Sequence, residues 1–188
     1  MATAARDIES ITLPPAGTYE LDASHTEVGF VAKHLLSKTR GRFTEFSGTI
    51  EVGDTPETSH VEVEVQTASV QTNFGQRDEH LKSADFFEVD EHPVMTFKST
   101  DIRHTGGTNF ELDGDLTIRD ITKPVTLTGE YLGSGVDPFG NTYFSAEAKT
   151  TVEREDWDLT WNMAIESGGL LVGKKVDLVI EVEAKKVS

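Results

Sequence analysis

The sequence predicts an all-β fold, an antiparallel β-barrel of eight strands with a short helical crossover. Three observations support this prediction: apolar and polar residues alternate along much of the chain, turn signals separate the alternating stretches, and small residues recur on the apolar faces. At 188 residues the chain has the length of one domain. We predict a flexible N-terminal arm over residues 1–16, which ends after Pro14-Pro15, and a barrel domain over residues 17–188.

The strands are predicted from a two-residue period. In residues 61–65 three valines share one face opposite Glu62 and Glu64, and in residues 110–118 five apolar or glycine positions face away from four polar ones. The other predicted strands are 18–22, 26–36, 44–52, 94–103, 125–131, 141–152 and 176–182. The turn signals between strands fall at 52–54, 105–107 and 137–140.

Small residues on the apolar faces bear on how the strands are arranged. Eight or nine strands with one apolar face each form either a sandwich or a closed barrel. The barrel is favoured because Ala32, Gly48, Gly114, Gly129 and Ala146 lie on apolar faces, where small residues leave room for a ligand. In that case Gly129→Leu is expected to block ligand binding at near-normal stability. The alternative is that the glycines mark bulges or bends.

The segment 77–97, RDEHLKSADFFEVDEHPVMTF, breaks the alternation. Residues 76–83 are predicted to be helical, and the pair Phe86-Phe87 follows among acidic residues. We expect this crossover to cover one open end of the barrel, with both rings facing the lumen or the barrel wall. The alternative is a small core against the outer wall, which closes the fold without binding a ligand. A second segment, 155–164, is either helical or an irregular loop.

The composition excludes several classes of partner. The net charge of −16 repels nucleic acids and anionic lipid headgroups, so we expect no nucleic-acid partner. The absence of cysteine excludes disulfides and thiolate metal sites. No apolar run approaches the roughly 20 residues of a membrane-spanning helix, and the N-terminus lacks the basic and apolar regions of a signal peptide. We therefore expect a cytoplasmic protein without stable membrane insertion, or a secreted one if a leader has been removed.

The side chains predict neither catalysis nor a metal site. The six histidines lack the spacing of a helical metal motif, and the sequence has no nucleophile elbow or phosphate-binding glycine loop. We expect no cofactor and no divalent metal. An enzyme acting on a lipid-like substrate would have to use His34 with Tyr131 or Tyr19. His34 itself is expected to be either buried and hydrogen-bonded or placed near a lipid headgroup.

Two basic features have competing interpretations. Arg77 either binds a phosphate or quinone oxygen at a barrel mouth, or forms an ion pair with Asp85 or Glu88 that fixes the crossover. A basic cluster beside the predicted turn at Leu35-Leu36 either guides an anionic headgroup or membrane surface, or is a solvated hairpin end. The members of this cluster are Lys33, Lys38, Arg40 and Arg42.

The crossover resembles that of the YceI-like family, through the pattern R-x-x-H-L-x-S-x-D-F-F-x-V that begins at Arg77. Three further segments agree with the family: HTEVGFVAKHLLSKTRGRFTEFSGTI at 25–50, GDLTIRDITKPVTL at 114–127, and GGLLVGKKVDLVIEVEA at 168–184. The resemblance covers about residues 17–185, with Thr26 where the family pattern has serine. It implies a lipocalin-like, extended barrel that binds long-chain isoprenoids, such as polyprenyl phosphates or quinones, or other amphiphilic lipids. Many members of the family are periplasmic and carry a leader.

The pattern and the resemblance predict a single lipocalin-like barrel that sequesters or carries a long-chain apolar lipid and catalyses no reaction. The alternatives are a small lipid-modifying enzyme that uses the same lumen, and an interaction module whose barrel is filled. Outward apolar residues such as Val179 are compatible with a homodimer. The predicted ligand-binding residues are Phe30, Ala32, His34, Phe46, Val63, Arg77, Phe86, Phe87, Met95, Phe97, Gly114, Leu116, Leu127, Gly129, Tyr131, Phe144, Trp161, Met163 and Leu178.

Overall fold

The structure, a computed structural model, describes residues 6–8 and 11–188, so parts of the predicted flexible arm lie outside the described residues. Its one α-helix within that range is α1 (Gly75–Lys82), and short 3₁₀ helices occupy Pro56–Thr58, Thr67–Ser69 and Arg154–Trp157. The strands are β1 (Arg6–Ile8), β2 (Ile11–Leu13), β3 (Gly17–Leu21), β4 (Glu27–His34), β5 (Ser37–Phe43), β6 (Phe46–Val52), β7 (His60–Gln66), β8 (Val70–Gln71), β9 (Val94–Gly106), β10 (Asn109–Ile118), β11 (Ile121–Val136), β12 (Thr142–Glu153) and β13 (Val172–Lys186).

Eight of these strands form a closed antiparallel ring, which confirms the predicted barrel. Around the ring the order is β3, β6, β7, β9, β10, β11, β12 and β13, and pairing of β13 with β3 closes it. The C-terminal part of β13 pairs with β3, and the rest of the same edge of β13 pairs with β4, from Glu27↔Glu181 to His34↔Val172. Strands β5 and β8 continue from β4 as a side branch, and β1 pairs with β2 in a separate hairpin.

All nine predicted strands coincide with observed ones, but the prediction missed β1, β2, β5 and β8, of which β5 is the longest. The predicted strand 26–36 ends in the structure at His34, and Leu35, with a φ of 53°, begins the turn into β5. The inward positions of β5 include Gly41, which pairs directly with Phe30 of β4. A side chain at Gly41 would overlap the Phe30 ring, at 2.2 Å from its Cζ atom. Because glycine is required there, β5 lacks the apolar alternation that marks the other strands.

The glycines at the predicted lumen positions do not leave open space. A Cβ atom at Gly129 would lie 2.2 Å from Cζ of Phe110, its direct cross-strand partner, and one at Gly114 would lie 2.3 Å from Cζ of Phe97. Aromatic rings on neighbouring strands therefore cover both glycines, an arrangement known to stabilise glycine in sheets. The bulge interpretation is correct next to Gly114, where the register with β9 shifts.

This packing reverses the expected effect of Gly129→Leu. Added volume in a packed site costs about 1–3 kcal/mol, so we expect the substitution to lower the unfolding free energy by that amount. Gly135→Leu in the same strand is the matched control, because no atom lies within 4 Å of a Cβ there. Chemical denaturation of both variants measures the difference. Equal stability of the two variants would show that the Phe110 ring moves aside without cost.

The barrel has two distinct ends. At one end, β7 ends and β9 and β13 begin. This end, called the crossover end, therefore holds α1, the Leu35-Leu36 turn and the loop before β13. The opposite end holds the turns between β9 and β10 and between β11 and β12. Buried residues of the first core cluster, towards the crossover end, are Phe43, Val65, Val70, Phe86, Met95, Leu116, Ile118, Trp157 and Leu159. Those of the second cluster are Tyr19, Ile50, Phe144 and Ala184.

An apolar cavity as the candidate functional site

The interior of the barrel contains a cavity of about 840 Å³, and most of its lining is apolar. The length of the cavity can be estimated along β13, where the lining residues run from Val172 to Val182. Ten residue steps of about 3.3 Å give roughly 33 Å along the strand, or about 25 Å along the axis at a usual barrel tilt. A volume of about 840 Å³ over this length leaves a mean cross-section of roughly 34 Å², so the cavity is longer than it is wide and suits an extended lipid chain.

Most of the predicted ligand-binding residues meet in this cavity. Those that line it are Phe30, Ala32, His34, Val63, Arg77, Phe86, Phe87, Met95, Phe97, Leu116, Leu127, Tyr131, Phe144, Trp161 and Leu178. Four others are not part of the lining. Gly114 and Gly129 lie beneath phenylalanine rings, Phe46 lies in a separate depression beside Glu62 and Lys98, and the Met163 side chain is exposed.

The set of predicted ligand-binding residues omits part of the lining. Leu112, Ile118, Val176 and Ile180 also face the cavity, and the alternation of β10 and β13 places them on the same faces as predicted residues. Further lining residues come from the N-terminal arm, where the sequence carried no periodic signal. These are Ile11, Leu13 and Pro14.

The N-terminal arm is fixed near the cavity by hydrogen bonds from two tyrosines. Tyr131 Oη donates to the carbonyl oxygen of Thr12 at 3.0 Å, and Tyr19 Oη donates to that of Pro15 at 2.8 Å. Burial raises the pKa of Tyr131 above its usual value of 10, so the hydroxyl remains a donor at neutral pH. These bonds place part of the predicted arm across the end of the barrel opposite to α1.

The aromatic pair of the crossover faces inward, as the first interpretation predicted. Phe86 is buried and packs at 5.5 Å from Trp161, and Phe87 packs edge-on at 5.6 Å from Phe43. His80 lies edge-on to both Phe86 and Trp161, at 5.2 and 4.5 Å between ring centroids. The crossover thus forms one wall of the cavity and is not a separate core on the outside.

Two contacts fasten the crossover to the barrel. Arg119, in the turn after β10, donates from Nη2 to Glu88 Oε2 at 3.1 Å and from Nη1 to the carbonyl oxygen of Asp158 at 3.0 Å. His92 Nδ1 lies 3.0 Å from Oδ2 of Asp120 in the same turn. The wall is therefore held at both the crossover and the 154–158 segment.

Arg77 does not form the predicted ion pair. Its Nε donates to Thr72 Oγ1 at 2.7 Å, and its Nη2 donates to the Thr72 carbonyl oxygen at 2.8 Å. Asp85 instead contacts His80 at 2.8 Å, and Glu88 contacts Arg119. Arg77 is half-buried and lines the cavity, so a guanidinium is present at the crossover end of a mostly apolar chamber.

His34 also lies at this end, but it is exposed, so the prediction of a buried and hydrogen-bonded histidine is wrong. Its position in the last residue of β4, beside the turn, explains the exposure. Among the described residues the buried cation is instead Arg154, in the 3₁₀ helix after β12, which is 5% exposed. Its guanidinium donates to the carbonyl oxygens of Leu159, Val172 and Gly173. Burial lowers the pKa of Arg154, and neighbouring Glu155 opposes this shift.

One group of possible metal ligands lies among the described residues: Asp22, His25 and Glu183, whose ligand atoms fall within 4.8 Å of one another. Hydrogen bonds within the turn account for Asp22 and His25, and Glu183 of β13 lies 3.6 Å from His25 Nδ1. Ser24 and His25 side chains both donate to the Asp22 carboxylate, which lowers its pKa to about 2, and the same bond to Asp22 raises the pKa of His25. The expected absence of a divalent metal stays a prediction.

The fold and the cavity define the class of protein: a closed antiparallel β-barrel around one elongated apolar chamber. Residues 19–184 match the YceI-like domain, and the chain belongs to the YceI-like family. Among the described residues, none of the helices is long and apolar enough to cross a membrane.

Three comparisons illustrate the relationship. The chain is 36% identical over 172 residues to the UPF0312 protein of Ectopseudomonas mendocina (strain ymp), covering 89% of this chain and 87% of that one. A crystal structure of a Campylobacter jejuni YCEI protein is 30% identical with a TM-score of 0.73, covering 89% and 97% of the two chains. At 15% identity, a polyisoprenoid binding domain from Saccharophagus degradans shares the fold with a TM-score of 0.66, covering 90% and 98%.

Proposed function

We propose that this protein binds a long-chain apolar lipid, an isoprenoid, quinone-like or fatty amphiphile, inside the barrel and sequesters or carries it. The observation that carries this proposal is the cavity of about 840 Å³, which is elongated and lined almost entirely by apolar side chains. Its volume lies within the range of about 300–1,000 Å³ that is typical of ligand pockets. A fold neighbour described as a polyisoprenoid binding domain supports the same class of ligand.

Burial of the apolar lipid chain supplies the binding free energy. Each methylene moved from water into the cavity contributes about 0.8 kcal/mol, so ten contribute roughly 8 kcal/mol. If the entropic cost of association is left out, this free energy corresponds to a dissociation constant of about 1 μM. Strong polar contacts are therefore not required for binding, and the length of the chain dominates the affinity.

The polar groups at the crossover end suit the headgroup of such a lipid. Arg77, Lys33, His34 and His80 all reach the cavity lining there. A guanidinium is a good partner for phosphate or carbonyl oxygens, and the Lys33 ammonium group also favours an anionic headgroup. We therefore place the headgroup at the crossover end and the chain towards Tyr131.

The side chains that an enzyme would need are far apart. His34 lies at the crossover end, whereas Tyr19 and Tyr131 belong to the opposite half of the barrel and donate to carbonyl oxygens of the N-terminal arm. The two side chains of a general acid–base pair must lie within hydrogen-bond distance, about 2.6–3.2 Å. Side chains at opposite ends of the barrel are too far apart for this. A filled interaction module is likewise disfavoured by the large cavity. Binding without catalysis fits the arrangement best.

Mass spectrometry of protein purified without detergent tests the proposal. We expect the native mass to exceed the denatured mass by one lipid, and organic extraction to release an apolar chain. Delipidated protein should then take up labelled isoprenoids or fatty amphiphiles at one per barrel. Equal native and denatured masses, together with failure of every such probe to bind the delipidated protein, would refute it.

A further inference from the structure

The strand register shows where the cavity ends. The lining of β13 stops at Val182, which pairs with Ala146 of β12, and Ala146 in turn pairs with Tyr131 of β11. These three residues therefore lie at one level of the barrel, at the end opposite to α1. Strand β11 continues from Tyr131 to Val136, but residues 132–136 do not line the cavity. On this side the barrel wall is longer than the chamber that it encloses.

The N-terminal arm lies at the level where the chamber ends. Tyr131 Oη donates to the carbonyl oxygen of Thr12 at 3.0 Å. Ile11 and Leu13 line the cavity, whereas Thr12 between them is exposed. Pro14 also lines the cavity and is buried. Strand β2 thus turns its apolar side chains towards the chamber and its polar one towards solvent. We call residues 11–14 the N-terminal plug.

The plug is fixed in place from both of its ends. Tyr19 has no exposed surface, packs edge-on against Phe144 at 5.0 Å between ring centroids, and donates from Oη to the carbonyl oxygen of Pro15 at 2.8 Å. On the other side, β2 pairs with β1 over three residues. The plug precedes the domain matched at residues 19–184, so it is an addition to the barrel and not one of its strands.

We propose that the N-terminal plug sets the longest lipid chain that the barrel accepts. The inference rests on the proposed function, in which the headgroup lies at the crossover end and the chain points towards Tyr131. Three bonds of an extended backbone span about 3.3–3.6 Å, so a chamber of about 25 Å takes roughly 20 chain bonds. At about four chain bonds per unit, this is an isoprenoid of about five units. A longer chain must leave its excess in water, where it gains no affinity from burial.

Competition between prenols of different length tests the plug. Delipidated protein is offered an equimolar mixture of prenols with four and eight isoprene units, and mass spectrometry of the organic extract gives the amount of each that is bound. The unchanged protein is expected to bind at least as much of the four-unit prenol as of the eight-unit prenol, because the additional units of the longer one remain outside the chamber.

Opening the plug should reverse this preference. In the double variant Ile11→Asp with Leu13→Asp, two carboxylates cannot stay in the apolar chamber, so β2 is displaced. We expect this variant to favour the eight-unit prenol at least about tenfold, since burial of two further methylenes beyond the level of Tyr131 corresponds to such a factor. Protein that lacks residues 1–14 should show the same preference without any added charge.

Thr12→Asp is the matched control, because it adds a carboxylate to the same strand at a side chain that does not line the cavity. It should bind the two prenols as the unchanged protein does. A prenol of three units is short enough to end below the plug, so its binding should be the same in every variant. This measurement also shows that each barrel is folded.

The outcomes distinguish failure of the plug from failure of lipid binding. If the unchanged protein already favoured the eight-unit prenol as strongly as the opened variants do, the plug proposal would be wrong and the cavity proposal would stand. The same holds if the opened variants bind the three-unit prenol but keep the original preference. Loss of the three-unit prenol from both opened variants would overturn the plug proposal as well, because a limit on length does not affect a chain that ends below it. Failure of all three prenols to bind the unchanged protein would overturn both proposals.

Discussion

Replacing Ala148 by tryptophan is expected to weaken lipid binding strongly while the barrel remains folded. Ala148 lies in the middle of β12, between Gly129 of β11 and Ile180 of β13, and lines the cavity. An indole at this position extends into the path of an extended chain. Exclusion of four methylenes removes about 3 kcal/mol of burial, which corresponds to a loss of about 100-fold in affinity.

The stability of the same variant distinguishes a cavity from a packed core. Added volume costs about 1–3 kcal/mol where atoms are already in contact, but little where the side chain enters open space. Lys149→Trp, at the next position of β12, is the matched control because Lys149 is exposed. Isothermal titration with a labelled lipid and thermal unfolding should be done on both variants. Unchanged affinity for Ala148→Trp, or a marked loss of stability, would contradict the elongated cavity.

The barrel was predictable because nearly every strand has one face of apolar residues. In β10, the alternation alone assigns Leu112 and Leu116 to the interior, and the structure agrees. The same logic fails in β5, where the Phe30 ring occupies the space above Gly41. A ring that covers a glycine belongs to another strand, so the pattern of a single strand cannot reveal it. For the same reason Gly114 and Gly129 were assigned to open space that neighbouring rings fill.

The cavity ends were less predictable than its middle. Residues of the N-terminal arm line one end, where the hydrogen bond from Tyr131 to Thr12 joins positions 119 residues apart in the chain. At the other end, Arg77 has many acidic neighbours in sequence but bonds to Thr72. Local charge favoured an ion pair, whereas α1 directs the guanidinium back to Thr72, the residue after β8. Sequence spacing specifies which face a strand residue occupies, but it does not specify the partners of a long side chain in a turn.

The backbone of segment 154–164 places Trp157 and Trp161 in different environments. Trp157 and Trp161 have the spacing of one helical face, and a helix was one of the two predictions. The structure has a single 3₁₀ turn that ends at Asp158, whose φ of 57° is left-handed. The chain beyond is irregular and carries Trp161 to the crossover, against His80. Trp157 remains in the first core cluster, where it is 2% exposed.

Trp157→Ala is therefore expected to destabilise the protein by about 3–5 kcal/mol, the usual cost of removing a buried aromatic side chain. Its Nε1 also donates to the carbonyl oxygen of Leu116 at 3.0 Å, so Trp157→Phe should cost about 1–3 kcal/mol by leaving that buried oxygen without its donor. Trp161→Ala, at the half-buried mouth, should cost about 1 kcal/mol and act mainly on lipid affinity. Chemical denaturation gives the three unfolding free energies. If the two alanine variants lost the same stability, the assignment of Trp157 to the core and Trp161 to the mouth would be wrong.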